Sequence, residues 1–250
     1  MHLADLVAYL DRYLDLAAVP DAPHSLNGLQ VENSGAVTRL AAAVDLCDAT
    51  IGLAAGQGAN LLLVHHGLFW GGLRPLVGPN YLRVARLVRE DIALYSAHLP
   101  LDRHPEVGNN VLLARALALV QRGEFGEEFG KPIGVWGELS LDRDALLERL
   151  GVALGVAPRL LPFGPKQVRR VGIVTGAGGS LIPQAAAAGL DTYITGEGPQ
   201  HTFFDAEELR VNVIYAGHYA TETAGVKALA EHVSARFRLP WTFLDHPTGL

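Results

Sequence analysis

The sequence predicts an α/β fold built as two similar, intertwined lobes, and three observations carry that expectation. Apolar strands and amphipathic helices alternate along all 250 residues, the pattern of largely buried sheets covered by helices. Two stretches look like copies: Gly58-Ala59-Asn60-Leu61-Leu62-Leu63-Val64-His65-His66-Gly67 and Gly189-Leu190-Asp191-Thr192-Tyr193-Ile194-Thr195-Gly196-Glu197-Gly198. In each, a glycine closes an Ala-rich helix, Asn or Asp follows, and an apolar strand delivers polar groups at its C-terminal end. Further along each copy, another strand ends in a histidine with a carboxylate four residues later. These pairs are His98 with Asp102 and His218 with Glu222. The matched order reads as an internal duplication, with lobes expected at 1–126 and 127–250.

Each element follows from its local pattern. Leu3, Leu6, Val7, Leu10 and Leu14 recur at helical spacing, so 3–16 reads as an amphipathic helix. Residues 20–35, rich in Pro, Asn and Gly, read as a loop. Leu40–Leu46 reads as a buried strand and Ala49–Ala55 as a helix stopped by Gly56 and Gly58. Leu61–Val64 is a strand, Leu82–Arg89 a helix, Ile92–Ser96 a strand and Asn109–Leu119 a helix. Gln121–Gly130 has no apolar period and reads as the seam between the lobes. Beyond it, Asp142–Leu154 matches the first helix. Val171–Val174 is a strand, Leu181–Ala188 a helix and Thr192–Thr195 a strand. Phe204–Arg210 is a helix, Val211–Tyr215 a strand, Thr221–Phe237 a long helix and Trp241–Leu244 a last strand.

Composition excludes several classes. The chain is 49% apolar and 18% charged, so it is globular rather than disordered. A formal net charge of −6 gives no global footprint for nucleic acid or an anionic membrane. Cys47 is the one cysteine, which rules out an intrachain disulfide and a thiolate-only zinc site. Any metal must therefore be held by imidazole and carboxylate. The first residues carry Asp5, Asp11, Arg12 and Asp15, unlike a signal peptide. No apolar run approaches the ~20 residues of a membrane span, and a cytoplasmic location is expected.

The chemistry concentrates at strand ends, where open α/β sheets bind ligands. On an extended segment His65 and His66 should point to opposite sides, serving two metals or leaving one structural. Spacing of four puts His218 and Glu222 on one helical face if the helix starts near His218. His98 and Asp102 share the spacing, but Pro100 makes a regular helix less expected there. Together these elements suggest one two-metal site in a cleft between related lobes. Histidine and carboxylate ligands suit Zn, Mn, Fe, Co or Ni without selecting among them. Thr175-Gly176-Ala177-Gly178-Gly179-Ser180 follows a strand and precedes a helix. It lacks the lysine of a P-loop and the spacing of a dinucleotide fingerprint, so it reads as a tight turn before a phosphate cradle.

At these residues the chain resembles the Nif-three-like dinuclear-metal-centre family, also called the GTP cyclohydrolase I type 2 family. The carrying motifs are Asn27-Gly28-Leu29-Gln30-Val31, His65-His66-Gly67-Leu68-Phe69-Trp70, Ala97-His98-Leu99-Pro100-Leu101-Asp102, Thr195-Gly196-Glu197 and Ala216-Gly217-His218-Tyr219-Ala220-Thr221-Glu222. They cover essentially the whole chain, in the short form without an inserted domain. The resemblance implies two divalent ions in the cleft. His66 and Asp102 would bind one, His65 and His218 the other, and Glu222 would bridge them. His98, Glu197 and His201 would lie nearby, with His98 and Glu197 as proton-transfer groups. Tyr219 stands where many members have a second histidine. The family name implies hydrolysis of a nucleotide-like substrate such as GTP, opened at the purine C8 with loss of formate. The competing function is a non-catalytic metal-binding or regulatory protein that forms rings. The resemblance also implies a homohexameric toroid.

Overall fold

The computed structural model describes residues 1–23, 25–70, 72 and 74–249. These form two compact units, one comprising Met1–Leu101 with Gly225–His246 and the other built on Asp102–Ala224. The expected halves, 1–126 and 127–250, are drawn differently from these units. The chain's last elements return to the first unit, where strand Trp241–Phe243 pairs in parallel with Leu40–Asp45.

The first unit opens with α1 (Leu3–Tyr13), which buries Leu3, Leu6 and Leu10. It ends short of Leu16 because Asp15 takes a left-handed backbone, φ 51°. The loop that follows contains a short strand, β1 (Gly28–Val31), which its turn-rich composition hid. Then come β2 (Leu40–Asp45), α2 (Asp48–Gly56), β3 (Leu61–His66), α3 (Gly78–Arg89) and β4 (Ala93–Ser96). Strands β2, β3 and β4 run parallel, and β1 lies antiparallel along the β4 edge. One face of this sheet packs Ala41, Ala43, Leu62, Val64 and Leu94 against Ile51, Ala54 and Leu87 of the helices. Tyr95, fully buried, donates its hydroxyl to Asp11 of α1 at 2.9 Å.

A short helix, α4 (Leu99–Asp102), forms despite Pro100, which sits in its first turn where a missing N–H costs nothing. The second unit continues with α5 (Asn109–Ala116). The expected seam at 121–130 is instead a β-ribbon, β5 (Val120–Glu128) against β6 (Lys131–Asp142). Its turn, Phe129-Gly130, has φ of 50° and 81°, as two-residue hairpin turns require. The outer strand is largely exposed, so it needs few apolar residues, and an apolar period is absent for that reason. Next are α6 (Arg143–Leu154), β7 (Arg159–Pro162), β8 (Gln167–Val174) and a tight 3₁₀ turn at Gly178–Leu181. They are followed by α7 (Ile182–Ala187), β9 (Thr192–Thr195), α8 (Thr202–Leu209) and β10 (Asn212–Tyr215). Helix α9 (His218–Phe237) begins in this unit, and β11 (Trp241–Phe243) closes the chain's secondary structure.

The two sheets share one four-strand arrangement. Their orders are β1-β4-β3-β2-β11 and β5-β6-β8-β9-β10-β7. In both, three parallel strands taken in chain order end at an edge strand running antiparallel. The second core gathers Leu146 and Leu150 of α6, Leu113 and Leu117, and Val171, Ile173, Ile194 and Ile214 of the strands. No helix among the described residues is long and apolar enough to cross a membrane.

Candidate metal centre

In the first unit three histidines converge at the carboxyl ends of β3 and β4. One ligand atom each from His65, His66 and His98 lies within 4.8 Å of the others. Each imidazole is held through Nδ1. His65 donates to the carbonyl of Ala97 at 2.8 Å, His66 pairs with Asp45 at 2.8 Å, and His98 pairs with Asp21 at 2.8 Å. A proton fixed on Nδ1 puts the ring's lone pair on Nε2, the nitrogen a metal would take. Burial alone would raise the Asp21 pKa, but His98, with Asn27, outweighs it and keeps the carboxyl below its ordinary value. Trp70 packs edge-on against both His66 and His98, with centroids 5.2 and 4.6 Å away.

The rings of His65 and His66 are not on opposite sides; their centroids lie 4.8 Å apart. The pairing of β3 with β4 stops at Val64 and Ser96. β3 stays paired with β2 to its end, Asp45 opposite His66, and each ring is held where its Nδ1 meets Ala97 or Asp45.

The second unit contributes carboxylates. Helix α9 starts at His218, as the His-x₃-Glu spacing required. His218 Nε2 lies 3.2 Å from Glu222, and its Nδ1 lies 2.7 Å from Glu197. Burial lowers the His218 pKa, but Glu222 and Glu197 outweigh it and raise it to about 9. Glu222 is 2% exposed, and a buried carboxylate requires a positive partner. Without an ion, the His218 proton supplies that charge. Asp102, also buried, accepts from Asn109 at 2.8 Å and from Thr175 at 3.4 Å. Gly176 follows directly, with φ 70°, and a Cβ there would run into the Glu222 carboxylate. The turn is thus shaped around Glu222.

It is not a phosphate cradle. The amides of Thr175, Gly176, Gly178 and Gly179 donate to Asn110, Thr221, Thr195 and Glu197.

Each unit, taken by itself, offers donors that suit divalent transition ions: imidazole nitrogens in the first, buried carboxylates and one imidazole in the second. A family model described as Duf34/NIF3 (NGG1p interacting factor 3) matches residues 1–248. The chain belongs to the Duf34/NIF3 family. Among its relatives, a GTP cyclohydrolase 1 type 2 homolog of Deinococcus radiodurans is 47% identical, over 98% of this chain and 94% of that one. A protein of the same description from Pyrococcus abyssi is 44% identical over the whole of both chains. Among solved structures, TTHA1606 from Thermus thermophilus superposes with a TM-score of 0.89 at 45% identity, covering 100% of both chains. Protein ybgI, described as of unknown function, gives 0.93 at 37% identity with the same coverage.

Within this family member, sequence reasoning missed the residues that hold the histidines. Asp45 ends β2 directly opposite His66 in the sheet register. An apolar strand ending in a lone acid was its signal, the same signal that exposed His65 and His66. Asp21 gave none, since it lies in a loop 77 residues from His98. Glu197, expected near the site, stands against His218 Nδ1. His201 is exposed just before α8.

Proposed function

We propose that the chain binds two divalent ions and acts as a metal-dependent hydrolase on a nucleotide-like substrate. The description of its relatives as GTP cyclohydrolase 1 type 2 homologs points to the same activity. The observation that carries the reading is that four imidazoles are each fastened through Nδ1 to an oxygen acceptor, an arrangement that prepares Nε2 for metal. By the family pattern, His66 and Asp102 would hold one ion, His65 and His218 the other, and Glu222 both. Such a pair supplies Lewis acidity and a water of lowered pKa.

The chain's own residues do the rest. Ala97, Asp45 and Glu197 fix the tautomers of His65, His66 and His218. His98, with its Nδ1 proton on Asp21, keeps Nε2 available to accept a proton. Glu197 accepts from His218 through one oxygen, and its half-exposed carboxylate can relay a proton to solvent. The shared four-strand order supports reading the lobes as an internal duplication, and the family resemblance supports a homohexameric ring acting in the cytoplasm.

The test is elemental analysis of protein purified without an affinity tag, followed by GTP turnover with and without chelator. Two ions per chain and chelator-sensitive turnover are expected. Two ions with no turnover of any nucleotide would replace the hydrolase with a metal-binding regulatory protein.

A further inference from the structure

The second unit carries a pocket of about 370 Å³ at the carboxyl edge of its sheet, lined by Arg159, Gly198, Thr202, Phe203, Phe204 and Tyr215 among others. Its position follows from topology. Tyr215 ends β10, Arg159 opens β7 directly opposite it, and Gly198 follows the end of β9. Ligands of open α/β sheets bind at this edge. Glu197, which holds His218, is the residue before Gly198.

The lining has three chemical parts. Phe203 and Phe204 are 36% and 52% exposed, and their rings meet edge to face with centroids 5.6 Å apart. Arg159 is exposed, bears on the Tyr215 hydroxyl electrostatically, and among the described residues forms no ion pair. The third part is a hydroxyl pair. Thr202 gives its one proton to the carbonyl of Pro199 at 2.6 Å. Its 2.5 Å contact with Tyr215 must therefore be donated by tyrosine. Tyr215 oxygen is left with lone pairs only, an acceptor. Burial raises the Tyr215 pKa, so the phenol keeps that proton. Gly198 leaves the pair accessible, because a Cβ there would sit 2.8 Å from Tyr215 Oη and 2.9 Å from Thr202 Oγ1.

We infer that this pocket binds a nucleoside phosphate: the aromatic base packs on Phe203 and Phe204, an N–H of the base donates to Tyr215, and the phosphate pairs with Arg159. Aromatic faces take a base without regard to sequence, and guanidinium matches phosphate geometry. The inference rests on the hydrolase reading for what becomes of the ligand, but not for its binding.

The test is isothermal titration of the full chain, as purified and after EDTA, with GMP, guanosine and ribose 5-phosphate. GMP should bind more tightly than either fragment in both samples. Arg159→Ala should weaken GMP by about tenfold or more and leave guanosine unchanged. Phe203→Ala should weaken GMP and guanosine alike, by about tenfold. Circular dichroism and metal content should match the wild type in both variants. Arg159 is exposed at a strand start, so its variant remains decisive if Phe203→Ala misfolds. The inference is overturned if GMP does not bind, if EDTA abolishes binding, if ribose 5-phosphate binds as well as GMP, or if Arg159→Ala changes nothing. If GMP binds as expected but the protein holds no ions or turns over no nucleotide, the hydrolase reading falls and the pocket stands.

Discussion

The two units share a strand order but end their strands in different chemistry. In the first, β3 and β4 lead into three imidazoles, His65, His66 and His98, each steadied by an oxygen acceptor. In the second, the matching edge presents Glu197 after β9 and His218 with Glu222 after β10, beside Asp102. One set offers imidazoles alone and the other offers mainly carboxylates. Where imidazoles stand together, no negative charge has to be neutralised among the ligands themselves. Where carboxylates are buried beside His218, a proton is retained to balance them. A divalent ion bound there would replace that proton, so the second unit is where metal and acid would compete. The difference teaches that a shared strand order fixes where side chains converge, while the residues at the strand ends decide the charge they bring.

The comparison breaks most completely at Glu222. Removing a carboxylate proposed to serve both ions, Glu222→Ala should take the metal content from two per chain to one or none. Inductively coupled plasma analysis after dialysis reads this directly, and two tightly held ions in the variant would remove the bridging role. The Asp102→Ala change should cost only one ion, which separates a bridge from a terminal ligand.

The competition between proton and metal gives the next largest effect. His218 must lose its proton to bind, and its pKa in the metal-free protein is raised to about 9. Affinity for the ion held by His218 should therefore climb about tenfold per pH unit below 9 and level off above it. The same shift makes a stability statement for chelated protein. A raised folded pKa contributes stability that is fully present below the unfolded value near 6.5 and lost as pH rises through 9. Thermal denaturation of chelated protein from pH 6 to pH 10 should show that loss, and Glu222→Gln should flatten it. An unchanged profile in that variant would show that the carboxylate does not sustain the proton.

Smaller effects are expected from the residues that orient the rings. Asp45→Ala in the first unit and Glu197→Ala in the second should each weaken one ion by roughly 10- to 100-fold. The two should act on different ions, since His66 and His218 are assigned to different ones. Equal losses at both ions in either variant would collapse that assignment.

How much of this was legible in the sequence depends on how local each feature is. The parallel strands were, because Leu61–Val64 and Thr192–Thr195 are short apolar runs bounded by turns. His218 and Glu222 were, because four residues on one helix need no tertiary information. The β5–β6 ribbon was not. Its charged outer face imitates a linker, and its buried residues, such as Phe125 against Tyr193, depend on a partner far along the chain. The convergence of His65 and His66 was not legible either, because the acceptors that hold the rings, Ala97 and Asp45, lie 32 and 21 residues away. Asp21 was beyond reach for the same reason: its function exists only once His98 has been brought to it.

The smallest expected effect separates helix α1 of the first unit from helix α6 of the second. Helix α6 is capped by Asp142, whose carboxylate accepts from the amide of Asp144 at 2.9 Å. Its counterpart α1 has His2 at that position, with no side-chain cap. A helix start leaves several amides without partners, and a short acceptor side chain satisfies one of them. Asp142→Ala should therefore destabilise the protein by about 1 kcal/mol, while His2→Ala should change stability by only a few tenths. The reverse exchange sharpens the comparison. His2→Asp places the missing acceptor at a helix whose first turn already carries Asp5, so repulsion offsets part of the gain. Urea denaturation of the three variants in the presence of metal reads all of this. If Asp142→Ala is neutral, the α6 cap contributes nothing net, and the two helix starts differ in geometry without differing in energy.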